Sequence, residues 1–258
     1  MIAALPMYDW PVLQPANDRF WRTLVERLRD AGIDAPGELN RHDNHAALRG
    51  RDDLLLAQTC GLPFNTRLKD RVRYVATPVH AMEGCREARY SSAIVTRRGF
   101  DPDRRTPEAL RGLRLAVNGT DSWSGYEVVK RWFAAGGTPM PAPHLVSGGH
   151  LRSMQAVAEG QADVAAIDAI ALGLARNHLP ELAGHLQVIG WTESRPAPPF
   201  VTAGPADDET VAALRTALHD ALATEPGIRE ALGLRSVAVL AADAYAAMIP
   251  AESRTAIS

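Results

Sequence analysis

The stretch Leu113-Arg114-Leu115-Ala116-Val117-Asn118-Gly119-Thr120-Asp121-Ser122-Trp123-Ser124-Gly125-Tyr126 decides how this chain folds. An apolar run suited to a buried strand enters a glycine turn and then serines at the start of an amphipathic pattern, which predicts a strand–turn–helix unit. Such a unit converges backbone N–H groups and hydroxyls at one point, where the helix dipole favours negative charge. Ser122 and Asp121 are also ordinary helix caps. Taken alone, the stretch leaves a cap and an anion site as two open readings.

A second stretch, Val146-Ser147-Gly148-Gly149-His150-Leu151-Arg152-Ser153-Met154, again sets a strand, a glycine pair and a polar residue at a helix start. An imidazole at His150 can donate to an oxyanion, and the glycines, Gly149 among them, permit close backbone approach. A third strand ends in Ala162-Asp163-Val164-Ala165-Ala166-Ile167-Asp168. Asp168 then stands beyond the carboxyl end of its strand, where open α/β sheets present ligands, with a helix cap as the competing role. Two helix starts of this kind predict a small anionic ligand.

Working outward, strand-like runs alternate with helical patterns, which predicts an α/β protein with a mainly parallel sheet. Ile2–Met7 reads as a strand, 18–31 as an amphipathic helix, and 53–57 and 72–76 as strands. The β-rich segment 89–96 follows. The polar stretch 97–106 with Pro102 marks a departure from the first lobe, and Glu193-Ser194-Arg195-Pro196-Ala197-Pro198-Pro199 marks the return, being too proline-rich for a helix or central strand. The expected organisation is two lobes with a cleft between them, residues 1–96 with 200–258 and residues 97–199, hinged where the chain crosses twice. The expected state is a monomer.

At 258 residues and 46% hydrophobic, the chain can divide its core between two lobes. A net charge of −2 gives no basic excess for a phosphate backbone, so nucleic acid is not an expected partner. No segment approaches the ~18 apolar residues of a membrane span, so no insertion is expected. The first residues lack the basic n-region of a leader, which places the chain in the cytoplasm as it stands, or in the periplasm if a leader has been removed. Cys60 and Cys85 are too far apart for a CxxC pair, leaving two buried thiols or a single disulfide. His42-Asp43-Asn44-His45 has metal-compatible residue types and no third ligand nearby, so neither metal nor cofactor is expected. No GxSxG, Walker or HExxH signature is present.

Tyr90-Ser91-Ser92-Ala93-Ile94-Val95, Leu110-Arg111-Gly112-Leu113-Arg114-Leu115-Ala116, Ser122-Trp123-Ser124-Gly125, Gly148-Gly149-His150 and Glu159-Gly160-Gln161-Ala162-Asp163, in that order, resemble the phosphonate/phosphate-type substrate-binding proteins of ABC transporters. The resemblance implies a type II periplasmic-binding fold that closes on its ligand. It implies that Ser122, Trp123, Ser124 and His150 stand where the family holds phosphonate oxygens, that Tyr8 and Tyr90 supply aromatic walls, and that Asp168 stands where a carboxylate meets a ligand amino group. Three departures accompany it. Trp123 replaces a hydroxyl residue and adds a flat surface beside the anion; Gln58 and Thr59 give a polar end to an early strand where the family has a more apolar wall; and no export signal is visible.

The function implied is non-enzymatic binding of a phosphonate, phosphate ester or related oxyanion for an ABC permease. A cytoplasmic enzyme on the same scaffold, like those of the menaquinone pathway and with His150 or Asp168 as base, is the alternative. A ligand sensor facing a regulatory protein is the third.

Overall fold

This computed structural model describes residues 1–43, 45–48, 50–101, 106–241 and 243–248. Its strands, in chain order, are β1 (Ile2–Ala4), β2 (Leu54–Gln58), β3 (Val72–His80), β4 (Cys85–Arg86), β5 (Arg89–Tyr90), β6 (Ser92–Arg97), β7 (Leu115–Val117), β8 (Leu145–Val146), β9 (Val164–Asp168), β10 (Leu186–Trp191), β11 (Arg195–Pro196), β12 (Phe200–Ala203) and β13 (Leu234–Ala238). The helices are α1 (Gln14–Asp30), α2 (His45–Leu48), α3 (Gly61–Asn65), α4 (Pro107–Leu110), α5 (Val128–Ala135), α6 (His150–Ala158), α7 (Ala169–His178), α8 (Pro180–Gly184), α9 (Asp208–Thr224) and α10 (Pro226–Leu232). The chain divides into a first unit of Met1–Ala81, Arg86–Ala88 and everything from Pro196 onward, and a second of Met82–Cys85 and Arg89–Arg195.

In the first unit the strand order is β1-β2-β12-β3-β13. β1 and β2 are parallel, while β12 is antiparallel to β2 and β3 and β13 is antiparallel to β3. Every residue of β2, Leu54-Leu55-Leu56-Ala57-Gln58, is buried, as an interior strand covered on both faces requires. Helix α1 presents Phe20, Trp21, Leu24 and Leu28 at helical spacing, and all four are buried. The Trp21 indole N–H is satisfied by the Pro36 carbonyl at 3.0 Å. The last described segment is fastened by Tyr245. Its hydroxyl lies 2.7 Å from Thr77 Oγ1 and donates to the Ala197 carbonyl at 2.7 Å, and its ring meets Phe64 edge-on. A buried tyrosine whose hydroxyl is satisfied contributes apolar area without an unpaired polar group.

In the second unit the order is β10-β6-β9-β7-β8. Strands β7, β8 and β9 are parallel; β6 runs antiparallel to both β9 and β10. The sheets are therefore mixed, not mainly parallel. Antiparallel members enter because β6 and β12 are reached through extended segments, whereas a parallel neighbour needs a helical crossover. The pairing of Ser92 with Asp168 and Ile94 with Ala166 puts the 92–96 segment in this sheet, so the second unit begins earlier in the chain than residue 97.

Elements α8, α10 and β13 were not expected from the sequence pattern. The helix expected over 243–249 is a short 3-10 turn at Ala246–Met248, and Ile249 lies outside the described residues, as do Asn44 and the stretch around Pro102. Cys60 and Cys85 are not joined in a disulfide. Among the described residues, no helix is long and apolar enough to cross a membrane.

Candidate functional site

Strand β7 lies between β9 and β8, all three parallel, with Ala116 opposite Ala165 and Val117 opposite Val146. Their carboxyl ends are therefore close to level, and the residues that follow them, 118–124, 147–150 and Asp168, gather on one edge of one sheet. This is the edge at which open α/β sheets hold ligands.

After β7 the chain enters a wide π-type first turn, Trp123–Glu127, in which the Glu127 N–H donates five residues back to the Ser122 carbonyl at 3.0 Å. Turns of this kind recur at functional sites. Ser122 caps it, accepting from the Gly125 N–H at 3.2 Å. Ser124 is buried, and its Oγ lies 2.7 Å from His150 Nε2. Asn118 Nδ2 is 3.3 Å from the same nitrogen. Gly125 is required by close approach: a Cβ there would stand 1.9 Å from Asn118 Oδ1 and 3.2 Å from His150 Cε1.

After β8, Gly148 takes a φ of +85°, which favours glycine. Gly149 is extended, with open space where a side chain would begin. Helix α6 then starts with no side-chain cap, so its first N–H groups point outward as donors. The turn is tied down by Ser147, whose Oγ lies 3.2 Å from the Val117 carbonyl and 2.7 Å from Ser153 Oγ.

At the end of β9, Asp168 is completely buried. Its Oδ1 caps α7, accepting from the Ala171 N–H at 2.5 Å, and its Oδ2 lies 3.3 Å from His150 Nε2. Ser124, Asn118 and Asp168 thus converge on one ring nitrogen. Burial lowers the pKa of His150 below its usual 6.5, opposed by the Asp168 charge and the Ala166 backbone. At pH 7 the ring is neutral, with one N–H to donate. Nδ1 is buried with no partner among the described residues.

Trp123, expected to offer a flat surface, is buried, with the Arg131 guanidinium 4.8 Å and that of Arg195 5.8 Å from its ring centre. Glu193 holds both cations, at 3.7 Å from Arg131 and 2.5 Å from Arg195. The ring is therefore a platform for arginines. Arg131 and Arg195 were not singled out from sequence; the only local signal was the Glu127–Arg131 spacing of four on the helix face, observed here at 3.9 Å.

The other expected residues have their own surroundings. Tyr90 is buried in β5 of the second unit. Tyr8, Gln58 and Thr59 belong to the first unit. The Tyr8 ring meets His80 edge-on with centroids 6.4 Å apart. Gln58 Nε2 donates to the Pro198 carbonyl at 3.0 Å, and the Thr59 N–H donates to that of Pro199 at 3.1 Å. Thr59 Oγ1 is buried without a partner among the described residues. His42 and Asp43 donate their backbone N–H groups to Asn40 Oδ1, closing a polar turn. Among the described residues no three His, Cys, Asp or Glu side chains are grouped to hold a metal ion.

Residues 14–249 match the family model described as "ABC transporter, phosphonate, periplasmic substrate-binding protein". No curated protein sequence matches the chain. Among solved structures, a binding protein component of an ABC phosphonate transporter from Pseudomonas aeruginosa is similar, with a TM-score of 0.74 at 18% identity over 95% of this chain and 82% of that one. PhnD1 from Prochlorococcus marinus, in complex with methylphosphonate, gives a TM-score of 0.73 at 15% identity over 95% and 93%. A Xanthomonas citri protein bound to ATP gives 0.69 at 18% identity over 96% and 94%. At these identities the likeness is one of fold.

Proposed function

Because this chain belongs to the phosphonate-binding family of periplasmic substrate-binding proteins of ABC transporters, we propose that its oxyanion grip is the cluster of Ser122, Ser124, His150 and the first N–H groups of α6. Binding a solute for an ABC uptake system is the family's work. The finer reading is that the solute is a small phosphonate, phosphate ester or related oxyanion, carried in the periplasm by a monomer and delivered to a permease.

The observation that carries this reading is the 2.7 Å approach of Ser124 Oγ to His150 Nε2 beside the uncapped start of α6. Held by the His150 ring, the Ser124 hydroxyl can donate to one oxygen of the anion while the helix N–H groups take another. Charge-assisted hydrogen bonds contribute roughly 1.5–3 kcal/mol each, and about four of them support micromolar affinity after ordering costs. Tyr90 and the guanidinium-covered Trp123 would shape the surroundings.

The geometry does not make a nucleophilic relay of Ser124. A Ser-His-Asp relay needs the serine and the carboxylate on opposite ring nitrogens, whereas Ser124 and Asp168 meet the same one. Ligands as unlike as the methylphosphonate and ATP of the similar structures mean that the chemistry of the cluster, more than the fold, must select the solute.

The test is a thermal-shift panel of alkylphosphonates, phosphate, phosphite, sulfonates and carboxylates. Stabilisation by phosphorus oxyanions, lost in Ser124→Ala and His150→Ala, is the expected result. Stabilisation by carboxylates or sulfonates alone would remove the phosphonate assignment.

A further inference from the structure

Asp168 stands at the edge where a ligand would lie, yet it has no exposed surface. One oxygen is held by the Ala171 N–H at 2.5 Å, and the other lies 3.3 Å from His150 Nε2. A buried carboxylate carries a desolvation cost of several kcal/mol unless it is paired and hydrogen-bonded, and these two contacts supply that compensation. Both oxygens are therefore engaged within the protein.

His150 is confined from the opposite side as well. Its side chain is 9% exposed, and Gly125 and Asn118 pack so closely that a single added methyl at 125 would crowd both Asn118 and the ring edge. The carboxylate behind the ring and the glycine beside it leave the imidazole one orientation, with Nε2 at the Ser124 hydroxyl.

We propose that Asp168 is a positioning residue that holds the His150 imidazole against Ser124, and that the site accordingly takes oxyanions without a primary ammonium group. An ammonium entering here would find a carboxylate already engaged. To gain a carboxylate it would have to strip Asp168 from His150 and from the cap of α7. The proposal rests on the oxyanion reading above for its ligand, while its claim about His150 stands on the ligand-free protein.

Two measurements separate these dependencies. In the first, long-range 15N spectra of the imidazole are recorded on ligand-free wild type and on Asp168→Asn. Asparagine is as good a cap as aspartate, so the fold survives the change. The expected result is a clear change in the His150 ring signals and their titration in the variant. Unchanged signals overturn the positioning role.

In the second, ethylphosphonate and 2-aminoethylphosphonate, which differ by one amino group, are titrated calorimetrically into both proteins. Wild type should bind ethylphosphonate about tenfold or more the tighter, since the ammonium gives up its hydration without gaining a carboxylate. Asp168→Asn should weaken both, leaving their ratio close to unchanged. If 2-aminoethylphosphonate binds as tightly or more tightly, and Asp168→Asn weakens it selectively, Asp168 is a ligand acceptor and the proposal is wrong. If neither compound binds wild type while the ring signals respond to Asp168→Asn, the oxyanion reading and the ligand class fail together, and the positioning role is upheld.

Discussion

The Ser124 hydroxyl oxygen lies 2.7 Å from His150 Nε2 although the two residues are 26 apart in the chain. Parallel pairing of β7 with β8 brings about this meeting, because it sets the turn after Val117 beside the turn after Val146. Each residue opens a helix, so the contact joins two N-termini whose dipoles favour the same anion. Ser124→Ala removes one of the converging donors. The expected loss of affinity for a phosphonate is roughly 10- to 150-fold, the equivalent of one charge-assisted hydrogen bond of about 1.5–3 kcal/mol, with little change in thermal stability without ligand.

Gly125→Ala tests the packing that aims the ring. The added Cβ would meet Asn118 Oδ1 at 1.9 Å and His150 Cε1 at 3.2 Å, so the Asn118 side chain must shift beside the ring. The expected outcome is a destabilisation of about 1–3 kcal/mol, typical of overpacking, together with weaker ligand binding, read by denaturant melts and titration of the same sample. Wild-type affinity in a stable Gly125→Ala protein would show that ring placement does not depend on this contact.

Acid stability should carry the signature of His80. This residue is buried beside the Tyr8 ring, and burial lowers its pKa to about 4, with the Gly233 and Leu232 backbone pulling the other way. The unfolded chain, with histidine near 6.5, therefore takes up the proton first. Stability is fully present above pH 6.5, falls as pH drops from 6.5 towards 4, and loses about 3 kcal/mol from this residue by the lower end. Burial of His150 acts in the same direction. Denaturant melts between pH 4 and 7.5 should show the decline, and His80→Leu should flatten it; an equally steep decline in that variant would assign the acid sensitivity elsewhere.

Trp123→Thr restores the hydroxyl residue that the family resemblance implies at this position, and it also removes the ring beneath Arg131 and Arg195. The expected cost is about 3–5 kcal/mol, as for other large-to-small changes at buried aromatics. Trp123→Phe, which keeps an aromatic face for the guanidinium groups, should lose much less. Chemical denaturation of the two variants side by side gives the comparison.

The second unit was the more legible part of the sequence. Its strands end in glycine or polar turns that lead into helix starts, so Asn118–Ser124, Ser147–His150 and Asp168 could be placed on one sheet edge from local pattern alone. Less could be read where pairing is decided at long range. The antiparallel course of β6 and β12 depends on neighbours far away in sequence, and β13, with only Leu234 fully buried, lacks the apolar alternation that would mark a strand. Asp168 was legible as a cap and as a ligand-edge carboxylate, but its contact with His150 required the fold. The arginines over Trp123 were hidden for the same reason: Arg195 lies 72 residues further along the chain, in a segment notable only for its prolines.

The central claim is that Ser124 and His150 together hold a phosphorus oxyanion. Calorimetric titration of ethylphosphonate into wild type, Ser124→Ala, His150→Ala and the double variant tests it most directly. The account predicts micromolar binding by wild type and a loss in each single variant, with the double variant losing less than the two single losses combined because the two side chains act as one unit. Binding that both single variants retain at wild-type strength would contradict it.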